Sequence, residues 1–375
     1  MPFSTKILVS ILVAFGIQAA WVQKSQAALP SNDNQIVANL SVNRPIKTRP
    51  AVPADENNAT NETDNSQINE VNALISKGKT LGDQRYFGYA EDALDKIQNQ
   101  SEFNWITTKI YLLQQRHAFS DAHLLLGSLI ARYPQEKSLY FTDSTLLVML
   151  GYFPEAERAC NKALGVIDLI TFSACLTQAS LKQTDLQKRE KSLANMLSQK
   201  DEKYFLWERA VLADAQIRLG NVTEAEKNYL IVLNHTATDH ASRIALADLY
   251  LSQRRWQDAY NLLFSYANQD SALLRLAVTS RHLQPGNNQW EISVEQRFSE
   301  QNSSASNDQL FYLINWHPNS ERIATLANTL TNSSKSSLDL ALVSSTISVF
   351  GKNKKESAIF QWLQTSGYYD ARMLF

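Results

Sequence analysis

Two cysteines, Cys160 and Cys175, and a histidine pair, His235 and His240, are the residues of this 375-residue chain whose types and spacing invite chemistry. The thiols stand 15 positions apart. No Cys-x-x-Cys spacing depresses either pKa, so a redox-active pair is not expected. In an oxidising compartment a structural bridge is the favoured reading, with two buried free thiols the alternative. The histidines flank Asp239 at a spacing of five, one more than the separation that sets two imidazoles on one helical face. Their stretch, NHTATDHAS, reads instead as a turn with Asp239 capping the next helix. His117, His123, His282 and His317 have no companions that would complete a site. The chain also lacks a Gly-x-Ser-x-Gly elbow, a His-Glu-x-x-His helix, a phosphate-cradling glycine loop and a dinucleotide fingerprint. The expectation is a chain with no catalytic residue, no metal and no cofactor. The alternative is an envelope enzyme or enzyme accessory, which a pocket of converging acids or histidines would mark.

Charge narrows the partners. With 36 basic and 37 acidic residues the net charge is −1, a poor match for a polyphosphate, so nucleic acid is not expected. The clusters at Lys188-Arg189 and Lys354-Lys355 read as solvated helix ends.

The N-terminus carries the pattern of an export signal. Lys6 precedes an apolar run of 11 residues, Ile7 to Ile17, and Ser25-Gln26-Ala27 offers small residues where a signal peptidase cuts. Residues 1–27 are therefore read as a cleaved signal peptide and the mature protein as periplasmic. An uncleaved N-terminal membrane anchor is the alternative, although the run is shorter than the ~20 residues a spanning helix needs. No cysteine precedes Cys160, so a lipid anchor has no thiol to attach to. Residues 28–66 are rich in Asn, Asp, Thr and Pro, with few large apolar side chains, and read as a flexible tether.

Any site must be positioned by helices. Only 11 Gly and 9 Pro occur, and helix-favouring residues crowd the chain beyond residue 67. An internal period organises them. The segments SDAHLLLGSLIARYP, PEAERACNKAL, TEAEKNYLIVL and QDAYNLLFSYA align with Ala122, Ala156, Ala225 and Ala259 in register. Their separations are 34, 69 and 34, the middle gap being two periods plus one residue. Five positions before each alanine the chain turns, at His117, Gly151, Gly220 and Arg254, and two residues later Phe119, Phe153, Val222 or Trp256 plugs the joint. Small pairs at Leu212-Ala213 and Leu246-Ala247 let paired helices approach to roughly 8 Å, and Pro134 stops a second helix.

These features resemble the tetratricopeptide repeat family, with good units at about 103–136, 137–170, 206–239 and 240–273. The unit at 171–205 is degenerate, with Glu190 where alanine is expected. The resemblance implies an all-α solenoid of stacked helical hairpins over 67–275, with 276–375 as diverged repeats ending in a capping helix. Helices are expected at 308–316, 320–330, 336–350 and 356–366, with Gly351 and Gly367 at helix ends. The terminal YYDARMLF reads as a helix cap or docked tail rather than a barrel strand.

The stretch LGDQRYFGYAEDAL fits the same scheme. Gly82 would close one helix, Asp83 cap the next, and Gly88 and Ala90 offer a smooth face to the partner helix EVNALISKGKTL. Its Gly-Asp-x-Arg-aromatic-x-Gly-Tyr-Ala pattern looks like a signature in exported bacterial tetratricopeptide proteins of unassigned role.

In that family the first helix of each hairpin lines a groove that binds a protein or peptide. The resemblance places Tyr111, Gln114, Gln115, Phe141, Thr145, Asp214, Ile217, Asp248 and Leu251 toward it. The Lys and Asn set that clamps a terminal carboxylate in some members is absent. Ala210, Asp214, Ile244 and Asp248 hold those places. The implied function is a non-catalytic protein-interaction scaffold of the cell envelope.

Overall fold

The computed structural model describes residues 58–81, 85–100, 102–299, 307–347 and 357–373. The expected signal peptide, residues 28–57 of the tether, Gly82, Asp83 and Gly351 lie outside the described residues. Among those described there are eighteen α-helices and no strand. The N-terminal hairpins are α1 (Asn58–Leu81) with α2 (Arg85–Asp95), α3 (Phe103–Gln115) with α4 (Phe119–Arg132), and α5 (Ser138–Leu150) with α6 (Phe153–Ala163). The middle ones are α7 (Leu169–Gln178) with α8 (Gln183–Ser198), α9 (Leu206–Arg218) with α10 (Val222–His235), and α11 (His240–Ser252) with α12 (Trp256–Leu263). Three more follow: α13 (Asp270–Leu283) with α14 (Gln289–Phe298), α15 (Asn307–Trp316) with α16 (Arg322–Ser333), and α17 (Ser337–Ser344) with α18 (Ala358–Ser366). Partners within a hairpin pack together, and α4 on α5, α6 on α7 and α10 on α11 join one hairpin to the next. The chain is a helical-repeat solenoid.

Four joints show why the period is strict. His117, Gly151, Gly220 and Arg254 all take positive φ, at 58°, 84°, 80° and 58°. The amide after each reaches back five residues: Ala118 to the Leu113 carbonyl, Tyr152 to Leu147, Asn221 to Gln216 and Arg255 to Tyr250, at 2.8–2.9 Å. This is the Schellman closure of a helix C-terminus. The next helix then carries Ala122, Ala156, Ala225 and Ala259, each with 0% exposure, at the closest approach of the two helices. Phe119 and Phe153 plug their joints as buried side chains.

Between hairpins, side chains of the incoming first helix donate to carbonyls in the last turn of the outgoing second helix or in the loop just past its end. The Trp105 indole donates to the Leu94 carbonyl at 2.9 Å. Arg209 donates to those of Leu197 and Lys200, at 3.2 and 3.4 Å. Arg243, 34 residues later, donates to that of Ala237 at 2.6 Å. A cation at the negative end of a helix is favoured there.

The degenerate unit forms its hairpin without a left-handed joint. Ala179 follows α7 at φ −76°. Arg189 braces the turn by donating to the Leu176 carbonyl at 2.8 Å and to Glu157 at 2.8 Å. Glu190 accepts from Gln216 of α9 at 2.9 Å, a contact alanine would not make.

Cys160 on α6 and Cys175 on α7 are bridged, with Cα atoms 5.9 Å apart. The open choice between a bridge and free thiols falls to the bridge, since α6 and α7 are neighbours in the stack.

Two boundaries differ from expectation. Helix α1 opens at Asn58, so residues 58–66 of the expected tether have helical backbone. Once Val71 and Ile75 anchor the helix in the core, each further residue toward the N-terminus adds one hydrogen bond to an existing nucleus. Helix α17 stops at Ser344 rather than reaching residue 350. There Ser344, Ser345 and Thr346 turn their hydroxyls onto the carbonyls of Ala341, Leu342 and Val343, a local alternative that competes with helix propagation.

The C-terminal half folds back on the middle of the chain. The Lys335 amide donates to the Met149 carbonyl at 2.6 Å and the Tyr369 amide to that of Leu181 at 2.9 Å. One buried cluster runs from Leu147 and Phe153 through Leu310 and Leu340 to Tyr368 and Met373. The expected capping helix, α18, ends at left-handed Gly367, and residues 368–373 continue as a docked tail.

Two measurements test these joints. A Cβ at Gly151 would meet the Lys335 Cγ at 2.8 Å in a left-handed backbone, whereas one at Gly88 meets nothing within 4 Å. In urea unfolding, Gly151→Ala should destabilise by about 1–2 kcal/mol and Gly88→Ala stabilise by up to about 1 kcal/mol. Removing the bridge in a Cys160→Ser, Cys175→Ser variant should cost ~3 kcal/mol on the chain-entropy account for a loop of this length; an unchanged denaturation midpoint would contradict the assigned role.

Candidate functional site

The first helices carry the expected groove residues, and the structure divides them. Tyr111, Gln114 and Gln115 of α3 are half-buried, with outer edges in solvent. The Lys79 ammonium sits over the Tyr111 ring at 4.4 Å. Phe141 of α5 is half-buried and meets Trp207 of α9 edge-on at 5.3 Å, and the Thr145 hydroxyl is spent on the Phe141 carbonyl at 3.4 Å.

Of the remaining four, Ile217 is buried, while Asp214, Asp248 and Leu251 are half-buried and have contacts within the chain. Asp214 accepts a hydrogen bond from Ser337, 123 residues further on. Ile217 is buried against Ala213, Tyr229 and Tyr250. Asp248 takes a bidentate ion pair from Arg275 at 2.6 and 2.8 Å, and Leu251 packs against the same cluster as Ile217. The chain's own α13 and the start of α17 engage the two aspartates.

Arg275 is a buried cation with Asp308 at 3.9 Å beyond Asp248 and the Phe311 ring beneath it at 4.5 Å. Burial pushes the Asp308 carboxyl above its ordinary range, although Arg275 and the Ser271 hydroxyl act in the opposite direction. Buried charges paired in this way hold neighbouring helices in one arrangement.

Beside Gln115 lies a cleft of ≈ 370 Å³ lined by Phe87, Gly88, Glu91, Asp92 and Arg116. Gly88 is exposed on α2 and opens this cleft, so the expectation that it packs against α1 is corrected. Ala90, expected on the same face, is buried as read, together with Leu94. One turn beyond Gly88, Glu91 accepts from Lys109 at 2.9 Å and Arg116 at 2.5 Å, and Lys109 also donates to Asp95 at 2.9 Å. Burial raises the Glu91 pKa, yet hydrogen bonds from the two cations outweigh it and hold the carboxyl below its ordinary range. Glu91 is thus a fixed anion committed to α3.

The histidine pair is not brought together as a ligand set. His235 ends α10, while His240 opens α11 with Nε2 2.8 Å from the Lys79 carbonyl. Asp239 caps α11 as expected, accepting from the Ser242 amide at 3.0 Å. Among the described residues no group of three His, Cys, Asp or Glu side chains has metal-binding geometry.

Sequence reasoning missed a polar cluster on the diverged repeats. The Tyr312 hydroxyl lies 2.8 Å from Glu295 and 2.7 Å from the His317 Nε2. Burial and the bond to Glu295 raise the Tyr312 pKa to about 12, so it stays protonated and bridges α14 to α15. No motif spacing links residues 295, 312 and 317. Arg209 and Arg243 were also missed, although their separation of one repeat length was a usable signal.

A crystal structure of a tetratricopeptide repeat protein from Parabacteroides merdae is similar in fold, at 13% identity and a TM-score of 0.37, over 72% of this chain and 99% of that one. No protein-family model and no curated protein matches the chain.

The Glu91 pair gives a pH test. A carboxyl whose pKa is depressed by folding contributes stability above its unfolded pKa, ~4.3, and loses it as pH falls through the folded value. Thermal unfolding of Glu91→Gln should show a lower Tm than the parent at pH 7, with the gap closing below about pH 4; a gap constant with pH would contradict the assignment.

Proposed function

We propose that this protein is an exported, periplasmic interaction scaffold that binds a protein or peptide partner and performs no catalysis itself. The observation that carries the reading is the division of the inner helix face. Ile217 is buried and the half-buried Asp214 and Asp248 commit their carboxylates within the chain, whereas Tyr111, Gln114 and Gln115 are half-buried on α3 and Gln115 lines the α2–α3 cleft. An aromatic ring flanked by two amides offers apolar area together with donors and acceptors, the composition that recognition surfaces favour. The groove is thereby confined to the N-terminal hairpins, with Phe141 and Thr145 at its edge. A terminal-carboxylate clamp is not part of the reading, because Ala210, Asp214, Ile244 and Asp248 supply no cation.

Export is supported by the N-terminal pattern and by the bridge from Cys160 to Cys175, which persists in an oxidising compartment. Among the described residues no helix is long and apolar enough to cross a membrane. An uncleaved segment around Ile7 to Ile17 would be the remaining route to N-terminal anchoring.

Produced with its native N-terminus in a Gram-negative host, the protein should be recovered from the periplasm beginning at Ala28. Partners captured by it from envelope extracts should bind a Tyr111→Ala, Gln115→Ala variant at least about tenfold more weakly, roughly 1.4 kcal/mol, with helical circular dichroism and Tm unchanged. Equal capture by parent and variant would remove the groove from the proposal.

A further inference from the structure

The docked tail, residues 368–373, has the contact pattern of a bound peptide. Its main chain is read by the body of the protein. The Tyr369 amide donates to the Leu181 carbonyl at 2.9 Å, and the Tyr369 carbonyl accepts from Arg218 at 3.2 and 3.3 Å. Tyr368, Asp370 and Met373 are buried anchors, with Tyr369 and Ala371 between them more exposed. Tyr368 enters an aromatic seat, 5.5 Å from Phe153 and 5.3 Å from Trp362, with the Arg218 guanidinium over its ring at 4.4 Å. Residues 368–370 have no regular structure, whereas Ala371–Met373 form a 3₁₀ turn with the Met373 amide on the Asp370 carbonyl at 3.0 Å; main-chain bonds combined with spaced side-chain anchors are how folded domains recognise peptide segments.

The receiving surface is built from the joints of α5/α6, α7/α8 and α9/α10. Its centre is Arg218, 2% exposed, which donates to the Ser180 carbonyl at 2.7 Å and otherwise to the tail. Among the described residues no carboxylate lies within ion-pair distance of it, so tail removal leaves a buried cation short of an acceptor. The α5/α6 and α9/α10 joints have glycine where their counterparts at His117 and Arg254 have large side chains. A Cβ on Gly220 would already touch Ala371 at 3.8 Å. Two of the three joints that receive the returning C-terminal segment are thus bare, and the third, α7/α8, supplies the Leu181 carbonyl.

From this geometry we infer that the row of helix joints at Phe153, Leu181, Arg218 and Gly220 is a peptide-recognition site, occupied in cis by the chain's own Tyr-Tyr-Asp-Ala-Arg-Met segment. Its ligand class is a short peptide with an aromatic anchor two positions before an aspartate, whose carboxylate pairs with the peptide's own Arg372 and opens a 3₁₀ turn, and an apolar anchor three positions after that aspartate. The dock is separate from the Tyr111–Gln115 face, so its occupancy can be read without knowing the groove's partner.

The test uses the full chain and a fluorescein-labelled peptide of residues 366–373. Substituting the tail anchors, Tyr368→Ala with Met373→Ala, vacates the dock and leaves its walls intact. This variant should bind the peptide at least about tenfold more tightly than the parent, whose own tail competes, and adding Arg218→Ala should abolish that binding. A folded variant whose amides at 368–373 exchange freely yet takes up no peptide overturns the inference, as does equal binding by parent and variant. Should the variant not fold, hydrogen exchange on the parent decides. Amides at 368–373 opening faster than those of α9 are expected, and exchange tied to global unfolding overturns the inference.

Discussion

Closure of a hairpin's first helix by one left-handed residue, followed five positions later by a fully buried alanine, recurs at four joints and is the constraint on which the rest of the structure depends. The left-handed residue reverses the chain without using additional length, and the alanine allows two backbones to meet at a spacing that larger side chains would prevent. A hairpin made this way is too thin to cover its own apolar side. Its first helix must lie against the preceding unit, and Trp105, Arg209 and Arg243 tie that contact to carbonyls in the last turn of the preceding helix or just past its end. The repeat is therefore a hydrogen-bonding unit as much as a packing unit.

Most of this was legible in the sequence because it is local. The four joints, the four alanines, the plugs at Phe119 and Phe153 and the cap at Asp239 each lie within a few residues of the feature they determine, so spacing alone locates them. Degeneracy at 171–205 was legible too, in Glu190, although not what replaces the missing alanine, since Gln216 belongs to the next hairpin. The choice between a bridge and free thiols at Cys160 and Cys175 needed the α6–α7 contact, which follows from the register of neighbouring repeats.

Part of what was not legible depends on contacts between residues over a hundred positions apart. Nothing near Asp214 announces Ser337, and nothing near Arg218 announces Tyr369. The family pattern gives the direction of a side chain on its helix but not what later segments place in front of it. That is why Asp214, expected to face outward, has its carboxylate engaged by Ser337 of a later helix. Gly88 illustrates the reverse case. Read as a packing notch, it is an exposed gap in α2 that shapes a cleft.

The bridge between Cys160 and Cys175 has a mechanical meaning. A stack in which each unit leans on its neighbours peels from its ends under load, one hairpin after another. A covalent stitch between the third and fourth hairpins stops such unravelling from the N-terminal side. The tail's attachment at the joints of the third, fourth and fifth hairpins meets a pull from the other end at the same place. Tension applied at either terminus of the described chain thus converges on one central segment.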